Sequence, residues 1–125
     1  MNLEGVAEIL DSAGVAMMGT SLFINFMPTD YEGVLLRDPF GGTPIDHELP
    51  GYRATSFMLI VRKKDYVVAK DIMQQAVEAL TLSDLQAGGM QINYMRPRGE
   101  PVAYQPSPGG LIEMITNIDC SYVLL

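Results

Sequence analysis

Asp46, His47 and Glu48 are the one run of neighbouring residues in this chain with the donor chemistry of a metal site. Carboxylate and imidazole donors suit zinc and related divalent ions. In an extended segment, though, Asp46 and Glu48 project to one side and His47 to the other, so the three do not converge on one ion. His47 is also the single histidine, which leaves no second imidazole to complete a set. The single cysteine, Cys120, excludes an intramolecular disulfide and a cysteine-based zinc cage. It falls on the apolar face of a predicted strand, far in sequence from His47, so a small buried hydrophobe is expected and not a nucleophile. Gly41-Gly42 and Gly88-Gly89 extend to neither the P-loop nor the dinucleotide fingerprint, and Gly88-Gly89 opens a strand where phosphate binding wants a helix. Ser12, Ser21 and Ser56 lack the strand–turn–helix setting of a nucleophile elbow. Asp30 and Glu32 are ordinary turn acids. No catalytic, cofactor-binding or metal residues are expected, and the reading tilts from enzyme toward assembly protein.

The elements that would carry any site come next. The 125 residues suit one domain, spanning 1–125. A chain this long buries roughly 65–70% of its unfolded surface and sustains one core. Its 48% apolar content is that of a globular protein. No apolar run reaches the roughly 18 residues of a membrane span, and MNLEGVAEILDSAG places acids where a signal peptide has basic residues. A soluble protein made in the cytosol and not exported is expected, with no membrane partner. The net charge of −7 repels phosphate chains, so tight nucleic-acid binding is not expected.

Asn2 can cap a first helix in which Leu3, Val6, Ala7, Leu10 and Ala13 recur at helical spacing, with Gly14 as its stop. Ser21 to Met27 and Gly33 to Arg37 read as two strands of a hairpin joined around Thr29 to Glu32. Asp38 to Gly51, DPFGGTPIDHELPG, holds three prolines and three glycines and reads as a projecting arm or lid. Tyr52 to Lys63 is the longest strand. Phe57, Leu59 and Val61 alternate with Met58 and Ile60, so both faces are apolar in the middle. Two helices cannot cover both faces, and the second face suggests a subunit contact. Asp65 caps a second helix whose stripe is Ala69, Ile72, Met73, Ala76, Val77 and Leu80. Met90 to Met95 is a strand. Arg96 to Gly110 is a second Pro/Gly loop with a short edge strand at Val102 to Tyr104. Leu111 to Leu124 closes the series as a strand with one wet face. The fold class is α+β: a mostly antiparallel β-sheet of about five strands flanked by two α-helices, with two long Pro/Gly loops. The nine methionines serve as core filling or as a pliable interface.

From Leu49 to Leu80 the sequence LPGYR, then FMLIVRKKDYVVAKDIMQQAVEAL, resembles the tail-terminator and related minor capsid (tail completion) proteins of long-tailed bacteriophages. The likeness is sharpest at Phe57 to Arg62, Asp65-Tyr66 and Ala69, and extends loosely along the chain. It implies a virion structural protein: a ring, usually a hexamer, that caps the tail tube at its head-proximal end and joins the head connector. The implied partners are further copies of the chain, the tail tube protein and the head–tail connector, with genomic DNA only passing through the lumen. Six copies at −7 apiece would carry about −42, which disfavours sticking of DNA to the lumen.

The interface residues expected are Asp38, Phe40, Ile45, Asp46, His47 and Glu48 on the arm, and Arg96, Arg98 and Tyr104 on the second loop. Arg62 with Asp65 is expected to fix the strand-to-helix turn. Two other readings remain open from sequence: another phage neck, connector or tube subunit, and a small-molecule-binding or enzymatic domain with its site under the arm.

Overall fold

A computed structural model describes residues 1–105 and 110–125; residues 106–109 of the second expected loop lie outside the described residues. Both helices begin where side-chain oxygens meet their orphan amides. The Asn2 carboxamide oxygen accepts from the Glu4 N–H at 3.1 Å and starts α1, Leu3–Ser12. Asp65 accepts from Val67 at 2.8 Å and Val68 at 3.3 Å and starts α2, Tyr66–Leu80. The strands are β1 (Leu22–Ile24), β2 (Gly33–Arg37), β3 (Tyr52–Lys63), β4 (Leu82–Ala87), β5 (Met90–Pro97), β6 (Val102–Tyr104) and β7 (Ile112–Leu124).

These form one sheet in the order β1-β2-β3-β7-β5-β4, with β6 added beside the first residues of β7. The long β3–β7 ladder runs from Tyr52↔Val123 to Lys63↔Ile112. Both helices pack on one face. There Val6 and Leu10 of α1 and Met73 and Leu80 of α2 join Phe57, Leu59 and Ile118 in the main core. The alternation of β3 dictates this: Phe57, Leu59 and Val61 are the inward set.

The α+β class, two helices and mostly antiparallel sheet stand as expected. The count of about five strands is corrected to seven among the described residues. β4 was missing from the sequence reading because Leu82 and Leu85, three apart, match neither strand nor surface-helix spacing clearly; Asp84 between them adopts φ 55°. β5 continues past Met95, so Arg96 lies in the sheet and not in a loop.

The expected hairpin of the first two strands is also corrected. β1 runs parallel to β2, Leu22 opposite Val34 and Ile24 opposite Leu36. Asn25, at φ 62°, ends β1 early, and asparagine tolerates that left-handed backbone. Gly33 then comes so close to Ser21 that an added Cβ would lie 2.6 Å from the Ser21 carbonyl oxygen. Parallel pairing forces the intervening chain back across the sheet. It crosses the face without helices, where Met27 packs with Leu35 and Ile60 and is flanked by Phe23, Met58 and Ile115. Ile60 is thereby only 4% exposed within the single chain. The expectation that a neighbouring subunit must cover the middle of this face is overturned: the chain's own 25–32 segment does so.

Candidate assembly interface

Arg62 holds that covering segment down. Its Nε and Nη2 meet Glu113 of β7 at 3.1 and 3.0 Å, and its Nη1 donates to the Pro28 carbonyl at 2.9 Å, with those of Thr29 and Tyr31 at 3.4 and 3.5 Å. Phe23 and Tyr31 add an edge-to-face ring contact at 6.0 Å. Arg62 therefore ties β3 to β7 and to the 28–31 backbone, while Asp65 acts on the helix start; the two work on different segments. Glu32 adds a further tie by accepting from the Lys64 N–H at 2.9 Å.

The arm, residues 38–51, is built differently. It contains neither helix nor strand. Its root is fixed by a reciprocal pair: the Asp38 N–H donates to Asn25 Oδ1 at 2.9 Å, and Asn25 Nδ2 donates to Asp38 Oδ2 at 2.8 Å. A tight turn follows, closed by the Gly42 N–H on the Pro39 carbonyl at 2.9 Å, with Gly41 at φ 91° and Gly42 at φ 84°. Only glycine adopts that backbone cheaply, and the turn leaves Phe40 fully exposed. Thr43 is the arm's inner contact, its hydroxyl accepting from the amino terminus at 3.5 Å. Burial pushes the Tyr122 phenol up, and the Thr43 hydrogen bond and the Arg53 charge draw it back. Ile45 and Leu49 are exposed, as are Asp46, His47 and Glu48. The Asp46 carboxylate is engaged locally, accepting from the Glu48 N–H at 2.9 Å in a turn of its own. The arm closes with the Tyr52 N–H on the Leu49 carbonyl and Arg53 Nη1 on the Pro50 carbonyl.

The structure brings the arm and Arg98 together. Pro39, Gly42 and Pro44 line a cleft with Ser56, Tyr94, Arg98 and Asp119. Arg98 is paired there to Asp119 at 2.8 Å. Arg96 lies over the Tyr94 ring, 4.5 Å from its centroid, a cation–π contact. Tyr104 is exposed but sits on β6 opposite Glu113, away from the arm. Sequence reasoning missed Tyr66 and Val67, both exposed at the start of α2. Their signal was available: they are large apolar residues preceding the buried stripe that begins at Ala69.

Among the described residues no three His, Cys, Asp or Glu side chains cluster as metal ligands, and no helix is long and apolar enough to cross a membrane. Cys120 is 1% exposed, and burial raises its thiol to about 12 despite the opposing pull of the N-terminal charge, so the thiol is protonated at neutral pH. What this geometry offers is surface for protein contact: exposed apolar side chains on a tethered, polar-edged arm.

No curated protein matches the sequence. The fold is similar to that of a chain in a solved structure titled "Virion of native gene transfer agent (GTA) particle", with a TM-score of 0.72 at 14% identity, covering 98% of this chain and 94% of that one. The family described as "Bacteriophage tail terminator protein" matches residues 9–124. The chain accordingly belongs to the bacteriophage tail terminator family, and is a structural protein of the virion's tail.

Proposed function

We propose that the chain assembles into a ring of identical copies, six in number, that caps the tail tube at its head-proximal end and joins it to the head connector. The observation that carries this reading is the arm. Phe40, Ile45 and Leu49 are exposed on a segment whose root, turn and inner contact are all fixed by the chain itself. A pre-organised apolar projection loses little freedom on docking, which is how interface anchors gain affinity. The neighbour of similar fold comes from a particle described as a virion, in keeping with a role among other virion proteins.

In this reading the arm contacts the tube protein or an adjacent copy, through Asp38, Phe40, Ile45, Asp46, His47 and Glu48. The strand and loop carrying Arg96, Arg98 and Tyr104 face a further virion protein. DNA passes through the lumen without binding, since each copy brings a charge of −7. The role is structural and involves no catalytic step or cofactor.

Deleting Gly41 to Glu48 tests it. The shortened chain should keep its circular dichroism and fail to complete tails. Normal tail length and infectivity in phage carrying the deletion would remove the arm from assembly.

A further inference from the structure

The arm leaves the sheet at a point that the 25–32 segment also touches. β2 ends at Arg37, and the next amide, that of Asp38, donates not to a strand but to Asn25 Oδ1 at 2.9 Å. Asn25 Nδ2 donates in return to Asp38 Oδ2 at 2.8 Å, and the Asn25 N–H donates to the Leu36 carbonyl at 2.7 Å. One asparagine is thereby bonded to the end of β2 and to the first residue of the arm. Its φ of 62° is a backbone that asparagine accepts and most side chains refuse.

A few residues on, the same segment is gripped again. Arg62 Nη1 donates to the Pro28 carbonyl at 2.9 Å while Nη2 pairs with Glu113 at 3.0 Å. The two charged side chains are only 16% and 17% exposed, so salt and water loosen the pair little. The run between Asn25 and Pro28 is short and stiff. Met27 is buried against Leu35 and Ile60, Pro28 bars helical backbone at Met27, and the Phe26 N–H closes on the Ile24 carbonyl at 2.8 Å. On the other side of the joint, Pro39 restricts Asp38 in the same way, and its carbonyl closes the Gly42 turn that carries Phe40.

We propose that Asn25 and Arg62 are positioning residues for the arm: residues 25–28 relay the Arg62–Glu113 clasp to Asp38 and fix the direction in which the arm leaves the sheet. Arg62 bonds to Glu113 and to the backbone of residues 28–31, none of them in the arm, so its reach to Phe40 runs through Asn25. With the clasp closed, Phe40 is presented in one orientation. With it open, the Asn25–Asp38 joint loosens, and docking must then order the arm at a cost in affinity. Such coupling is reciprocal, so docking of the arm tightens the clasp. This rests on the reading above that the arm docks, and adds what aims it.

Amide exchange followed by NMR on the full chain tests the relay with no partner present. Arg62→Ala should quicken exchange of the Asp38 N–H. Asn25→Gly keeps the left-handed backbone but removes the side-chain bonds, and should quicken exchange of the Tyr31 N–H, which is bonded to the Pro28 carbonyl. Each change should be about tenfold, in the usual range of coupling between sites, with Met73 of α2 unchanged as the control for general loss of stability. Both variants should also bind purified tail tubes about tenfold more weakly in sedimentation, and wild-type chain on tubes should exchange more slowly in residues 25–32 than free chain. An Asp38 N–H that exchanges in Arg62→Ala as it does in the wild type would overturn the relay and leave the docking reading standing. Exchange that quickens equally at Met73 would overturn it as well. A wild-type chain that binds neither tubes nor its own copies would remove the docking reading, and the exchange of free chain would still decide the relay.

Discussion

Two apolar regions of this protein end in opposite states. The middle of the helix-free sheet face holds Leu35 and Ile60, and both are buried by the 25–32 segment of the same chain. The arm holds Phe40, a larger side chain, and leaves it wholly in water. An exposed phenylalanine forgoes about 2–3 kcal/mol that burial would contribute. The difference is one of backbone. Asn25 folds the chain back over the sheet, and Arg62 fastens it there through carbonyls and Glu113. The Pro39–Gly42 turn, by contrast, points its aromatic ring outward. An apolar strand face is thus weak evidence for a partner, because a loop can close it; an apolar side chain held out by a fixed turn is stronger evidence.

The contrast can be broken most forcefully at Ile60. Ile60→Ala should lower stability by about 3 kcal/mol in urea unfolding of the monomer, the usual effect of truncating a buried isoleucine. A loss under about 1 kcal/mol would mean that the far face is not closed by its own chain. Arg62→Ala comes next. It leaves a half-buried Glu113 and several carbonyls without their partner, and should cost about 2 kcal/mol, with hydrogen exchange quickening in residues 25–32 ahead of the helices. Uniform exchange across the chain would show that Arg62 is not a local clasp. The smallest effect on stability belongs to the arm. Phe40→Ser should shift unfolding by less than about 0.5 kcal/mol, as exposed substitutions do, yet abolish capping of tail tubes seen by electron microscopy. A stability loss like that of Ile60→Ala would erase the distinction between the two regions.

Much of the frame was legible in the sequence. The bounds of β3 and the start of α2 followed from alternation, stripe and cap, because Tyr52 to Leu80 obeys each period without interruption. Strand direction was not legible. Pro28, Thr29 and Asp30 look like the bend of a hairpin, and only Asn25 hinted that the chain turns sooner. β4 was hidden because Asp84 breaks its pattern at an exposed edge. That residues 38–51 hold neither helix nor strand was readable from their prolines and glycines. That Arg98 shares a cleft with the arm was not, since this depends on β7 bringing Asp119 between them. The resemblance noted at Phe57 to Ala69 lies within the span that the terminator family matches.

β7 has a consequence for biogenesis. It is the last strand in chain order, yet it stands between β3 and β5 and also carries β6. Until the ribosome releases residues 112–124, β1–β2–β3 and β4–β5 are two fragments with no ladder joining them. The sheet therefore closes only after β7 has left the ribosome, and a nascent subunit cannot enter a tail before that strand is free to pair.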